Sequence, residues 1–221
     1  LDLGIVKDAD LIILAMPVNA ILNLAEKISK ACSKKAIVTD VGSTKQEIVR
    51  KLERIFPNFL GSHPLAGSEK RSITHAEAGL FNGSLCILTP TKRTSRQALK
   101  SIKKFWQKIG VKTIDLSPEA HDKVLSLTSH LPHIAAFSLM ESVPANYFKF
   151  ASGGLRDTTR IAASEGELWA DIFLSNRKNI ISGIVLLEKN ISRIKSALSS
   201  KDRRSLIKFL RSANEKREKI Q

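Results

Sequence analysis

Four short segments hold residues whose types and spacing suit acid–base or anion-binding chemistry. In GSHPLAGSEK, residues 61–70, His63 stands beside Pro64 in a glycine-flanked loop that follows a strand. An imidazole there can take up a proton near neutral pH. In TDVGSTK, residues 39–45, a strand ends in Asp40 and turns through Gly42 into a helix, so Ser43 lies beyond the carboxyl end of a strand. Open α/β sheets bind ligands at such ends. In SLTSHLPH, residues 126–133, His130 and His133 are three apart and share a helical face, while Pro132 lacks a backbone donor and should bend the helix. In GGLRDTTRIA, residues 153–162, Arg156 and Arg160 are four apart, and a guanidinium fork can hold both oxygens of a carboxylate.

Each segment also has an ordinary structural reading. Ser43 and Gln46 fit a capping box. His63 taken alone fits a loop histidine, the His130/His133 pair fits hydrogen-bonded core residues, and the two arginines with Asp157 fit a surface salt-bridge ladder. No carboxylate or third imidazole recurs at ligand spacing near the histidine pair, so metal binding is not expected. Cys32 and Cys86 sit in or beside apolar stretches without a CxxC pairing. They read as reduced packing residues of a cytosolic protein.

The elements that would position these residues fall into two halves. Residues 10–16, a mostly apolar run ended by Pro17, read as a buried strand. Helices are expected over 19–30, 44–56 and 95–109, and strands over 36–40, 59–62, 84–89 and 111–115. This alternation describes a mainly parallel sheet covered by helices. At Ser117-Pro118-Glu119 the pattern changes with a strong helix start, and only helices are expected from there to residue 221. The division is therefore residues 1–115, α/β, and residues 116–221, all-α. In residues 180–198 the apolar positions Ile180, Ile181, Ile184, Val185, Leu186, Leu187, Ile191, Ile194 and Leu198 cover more than one stripe of a helix. That helix is expected to be buried on two sides, one of them against a second subunit. The basic tail, residues 200–221, has Leu206, Phe209 and Leu210 available to face inward.

Composition bounds the class. With 221 residues, 43% hydrophobic, 5% aromatic and 26% charged, the chain suits a globular aliphatic-rich protein and not a disordered one. Its longest apolar runs are well short of the ~20 residues of a membrane span, and no signal peptide is evident, so a cytoplasmic location is expected. The formal charge of +15 favours anionic partners. The basic residues are dispersed and rarely interleaved with aromatics, and no nucleic-acid-binding motif is present, so a small anionic molecule is expected and nucleic acid is not.

No GxGxxG occurs in the chain, although a doubly wound sheet holds a dinucleotide pyrophosphate on such a turn. The strand order starts mid-way through that plan, which leads to the expectation of a truncated Rossmann-type sheet. TDVGSTK, HPLAGSE, SHLPH and GGLRDTTRIA, in that order, closely resemble the prephenate/arogenate dehydrogenase family of tyrosine biosynthesis, over about residues 10–190. The resemblance implies a nucleotide-binding domain followed by a helical dimerisation domain, a homodimer, and NAD or NADP as cofactor. It implies oxidative decarboxylation, in which hydride leaves the ring carbon bearing the hydroxyl and the ring carboxylate departs as carbon dioxide. By motif, His63 is the base, Ser43 the hydroxyl partner and Arg160 the carboxylate anchor. His130, His133, Glu69 and Trp169 would lie near the substrate, and Met16, Pro17, Asp40, Val41, Gly42 and Ser43 would border the cofactor. Two other readings stand beside it. A β-hydroxyacid-type dehydrogenase shares the two-part plan but relies on a lysine in its helical half, whereas these motifs concentrate histidine and arginine. A non-catalytic helical dimerisation fragment is the other.

Overall fold

The computed structural model describes residues 3–66 and 79–220; Glu69 lies outside the described residues. Strands β1 (Leu11–Leu14), β2 (Ile37–Asp40), β3 (Phe59–Pro64), β4 (Leu85–Thr89) and β5 (Lys112–Asp115) form one sheet in that order. The first three are parallel, joined through helices α1 (Val18–Ala31) and α2 (Gln46–Ile55). Strand β4 pairs with β3 antiparallel and with β5 in parallel, which makes the sheet mixed. Helix α3 (Arg96–Lys108) connects β4 to β5. In strand β1, first in this order, Ile12 and Leu14 are buried as its apolar run suggested, and Ile13 is 37% exposed.

Alternation along the strands builds two cores. Phe59, Val38 and Leu14 pack with Ile21, Ala25, Ile48 and Leu52 of α1 and α2. Leu60, Cys86 and Leu88 pack with Ala98, Ile102 and Trp106 of α3. Burying each large aliphatic side chain stabilises the fold by about 1.5–3 kcal/mol. Helix α3 starts where the Ser95 hydroxyl accepts from the Ala98 N–H, 3.1 Å away.

Ser117 caps α4 (Pro118–Leu125) by accepting from the Ala120 N–H at 3.1 Å, with Pro118 in the first turn. A π-helical turn, Ser126–His130, then leads into α5 (Leu131–Glu141). There the Leu131 N–H reaches the Ser126 carbonyl. The wide turn absorbs the donor that Pro132 cannot supply. Helices α6 (Gly153–Thr159) and α7 (Gly166–Ser175) follow, and α7 packs on α1, where Asn19 Nδ2 donates to Asp171 Oδ1 at 2.6 Å.

The chain packs as two compact units, Leu1–Arg177 and Lys178–Gln221, so α4 to α7 belong with the sheet. The second unit comprises nearly all of α8 (Arg177–Ser199) and α9 (Arg203–Arg217). Of α8 only Ile180 and Gly183 are buried, while Ile181, Val185, Ile191 and Leu198 are more than half exposed. Burial on two sides is thus absent within the single chain. In α9, Leu206 and Phe209 are half-buried as expected, and Leu210 is exposed. Among the described residues, no helix is long and apolar enough to cross a membrane.

Candidate active site

Strand β3 runs past the end of β2. Asp40 is opposite Gly61, and the overhang Ser62–Pro64 is held instead by β4, with His63 opposite Ile87. The antiparallel strand therefore fixes the backbone that carries His63. Beneath it lies a buried polar layer. Ser62 Oγ meets Thr39 Oγ1 at 2.7 Å and accepts from Trp106 Nε1 at 3.2 Å. Lys45, fully buried, donates its ammonium to Asp40 Oδ2 and to the Ser62 carbonyl, the latter at 2.8 Å. A charge removed from water this completely is tolerable only because it is paired.

His63 Nδ1 lies 2.8 Å from His121 Nε2, and His121 Nδ1 lies 2.8 Å from Asp122 Oδ1. Asp122 also accepts the backbone N–H groups of Lys45, at 2.7 Å, and Gln46, at 2.9 Å. Those are donors at the start of α2, which have no partner within the helix. The capping box expected of Ser43 and Gln46 is therefore replaced by a carboxylate from α4. Ser43 is half-buried in the turn between β2 and α2.

The pKa of His63 is lowered well below its ordinary value, by burial above all and then by His121, the Lys45 ammonium and His130. Burial likewise lowers His121, outweighing the opposing effect of the hydrogen bond it donates to Asp122. Both rings are neutral near pH 7. Burial raises the nearby Cys86 thiol to about 12, which keeps it protonated.

A cleft of about 560 Å³ opens beside His63, with Ser129, His133, Ile161, Glu165 and Trp169 among its lining residues. The His133 ring stacks on Trp169, centroids 3.5 Å apart, and its Nδ1 donates to the Ser129 carbonyl at 2.9 Å. His130 does not share that position. It is 1% exposed, its Nδ1 accepts from Asn176 Nδ2 at 3.2 Å, and burial lowers its pKa to about 4. It supports Trp169 edge-on from inside, at 6.1 Å between centroids. Of the two histidines expected near a substrate, His133 lines the cleft, while His130, at the end of the π-helical turn, lies buried behind Trp169. Arg160 is exposed at the end of α6, and Arg156 is exposed one turn earlier.

Met16 is half-buried and Pro17 exposed just after β1, with Val41 and Ser43 half-buried and Gly42 buried after β2. These strands end at one edge of the sheet. Asp40 differs from its neighbours. Its carboxylate is fully buried, accepts the Gly42 N–H at 2.9 Å and pairs with Lys45, so it holds the turn and has no surface to offer a cofactor.

Sequence reading missed Lys45, His121, Asp122, Asn176 and Glu165. His121 had a local signal, since it stands four residues before the buried Leu125 on α4. Asp122 had none, because its backbone partners lie 76 and 77 residues away.

Residues 2–115 match the family description "Prephenate dehydrogenase, nucleotide-binding domain", and residues 117–212 match "Prephenate dehydrogenase, dimerization domain". A prephenate dehydrogenase of Bacillus subtilis is 34% identical over 96% of this chain and 60% of its own length. A cyclohexadienyl dehydrogenase of Zymomonas mobilis is 34% identical over 96% of this chain and 75% of its own length. The structure of Aquifex aeolicus prephenate dehydrogenase in complex with hydroxyphenyl propionate and NAD+ superposes with a TM-score of 0.91 at 37% identity, covering 96% of this chain and 77% of that one. The chain spans about 60% of the length of the Bacillus subtilis relative and about three quarters of the Zymomonas mobilis one. With both halves matched in order on a mixed sheet followed by helices, the chain belongs to the prephenate dehydrogenase family.

Proposed function

We propose that this chain provides the acid–base and substrate side of a nicotinamide-dependent dehydrogenase that oxidatively decarboxylates prephenate or arogenate, to 4-hydroxyphenylpyruvate or tyrosine. The observation that carries this reading is His63. It lines the cleft from a rigid strand end, is kept neutral, and has one ring nitrogen engaged by His121 while the other has no partner among the described residues. A neutral imidazole so placed accepts the proton of a substrate hydroxyl. Ser43, on the turn after β2, would hold that hydroxyl oxygen. Arg160 would anchor a substrate carboxylate, and His133 and Trp169 offer a flat wall to a six-membered ring. By resemblance of motif, Glu69, outside the described residues, would also contact the substrate.

Relatives named for prephenate, arogenate and cyclohexadienyl substrates and the NAD+ complex of the Aquifex aeolicus protein support NAD or NADP as the hydride acceptor. The common edge where β1 and β2 end fits such a group. Met16, Pro17, Val41, Gly42 and Ser43 would hold it, and when bound it accepts the hydride that leaves the ring carbon. We assign residues 1–115 to the cofactor side and 116–221 to a helical half that pairs two copies into a homodimer, as the description of the second matched domain suggests.

Assaying prephenate- and arogenate-dependent reduction of NAD and NADP tests the reading. His63→Asn should lower kcat by roughly 10²–10⁴-fold, the usual worth of a positioned general base. Near-normal turnover by that variant would remove His63 from the mechanism, and no turnover of either substrate by the chain joined to a pyrophosphate-binding turn would overturn the reading as a whole.

A further inference from the structure

We infer that His121 and Asp122 are positioning residues that fix His63 as its Nδ1–H tautomer, leaving the Nε2 lone pair as the proton acceptor. This rests on His63 being the base, but the geometry behind it stands apart from any activity. Backbone N–H groups can only donate, and two of them reach Asp122, one to each oxygen: Lys45 N to Oδ1 and Gln46 N to Oδ2. Asp122 is thus held as an acceptor on both sides. His121 Nδ1, 2.8 Å from Oδ1, must then carry the proton. A neutral imidazole has one donor and one acceptor nitrogen, so His121 Nε2 presents a lone pair to His63 Nδ1 at 2.8 Å. His63 Nδ1 must donate, and its proton-accepting nitrogen is Nε2.

The order of control begins outside the pocket. The start of α2 orients Asp122, Asp122 sets His121, and His121 sets His63. All the links are buried or partly buried, so water competes weakly for these bonds. The free imidazole has no such constraint, and a ring without the bond to His121 would place a proton on Nε2 in a large share of molecules. Those molecules cannot act as the base. The arrangement also spreads charge. When Nε2 takes the substrate proton, the resulting imidazolium donates from Nδ1 into His121, whose other nitrogen is tied to a carboxylate.

Nitrogen-15 NMR of histidine-labelled protein reads the tautomer directly, without substrate or cofactor. The unmodified chain should show His63 protonated at Nδ1 and unprotonated at Nε2. His121→Leu, which removes the acceptor, should shift His63 toward the Nε2–H form. His121→Gln, whose side-chain oxygen can still accept, should keep the Nδ1–H form. In the dehydrogenase assay, His121→Leu should lose about 10-fold or more in kcat with little change in KM, since a wrong tautomer disables a base without emptying its site. His121→Gln should recover most of that loss. An unmodified protein with His63 protonated at Nε2, or a tautomer unchanged in His121→Leu, overturns the inference. If the chain joined to a pyrophosphate-binding turn converts neither substrate while showing the Nδ1–H form, the reading of function fails and the tautomer assignment stands.

Discussion

His130 shows how burial decides what a histidine does. It lies in the same motif as His133, yet it is enclosed against Asn176 and Trp169, with its pKa lowered to about 4 by burial. In the unfolded chain the same ring titrates near 6.5. Between those values the unfolded state binds a proton that the folded state refuses, so stability is complete above pH 6.5 and declines as pH falls toward 4. His63 and His121 are shifted in the same direction and add to the effect. Thermal melts should show a Tm that is level above pH 7 and falls steadily from 6.5 to 4. A Tm unchanged across that range would mean these rings are not held neutral in the fold. At this scale the sequence was legible for His63, whose motif is local. It was not for Asp122 or Lys45, whose roles come from partners brought together by β2, α2 and α4.

Strand β4 decides how firmly the site is built. Gly61, opposite Thr89 on the antiparallel pair, sits where an added Cβ would be 2.4 Å from Thr89 Oγ1 and 3.0 Å from Val49 Cγ2. Thr89 is a short β-branched side chain with little room to move, and its hydroxyl already donates to the Gly61 carbonyl. Gly61→Ala should therefore cost roughly 1–3 kcal/mol, the usual penalty for overpacking a core, read as a lower midpoint in urea unfolding. An unchanged midpoint would show that β3 and β4 can separate locally without loss. The sequence marked out both strands but not their relative direction, because an apolar run of this length suits either pairing. The π-helical turn was half legible. Pro132 signalled a disturbance, but which histidine the widened turn would bury depended on Asn176, 46 residues further along.

For the molecule as a whole, the unsettled surface is α8. Ile181 and Val185 lie one turn apart and are each 58% exposed, with Ile191 and Leu198 further along, 56% and 60% exposed. Apolar exposure of this extent on one helix marks an association surface. On the homodimer reading, Ile181→Glu with Val185→Glu should convert a dimer to a monomer in sedimentation experiments. Secondary structure should be unaffected, because neither side chain is buried within the chain. A double variant that stays dimeric would place the subunit contact elsewhere. The charge of +15 per chain opposes self-association at long range and is screened by salt, so the apolar face has to supply the attraction.

The sequence by itself determined the element order, the change from α/β to helices near residue 116, the apolar faces, and the family through four short motifs. These rest on information held within a few residues: periodicity, turn chemistry and capping. Tertiary structure alone decided the reversal of β4, the burial of His130, the engagement of Asp40 with Lys45, and the path from α2 through Asp122 and His121 to His63. Each depends on a hydrogen bond or contact between segments far apart in the chain, and no local pattern of residues encodes where those segments meet.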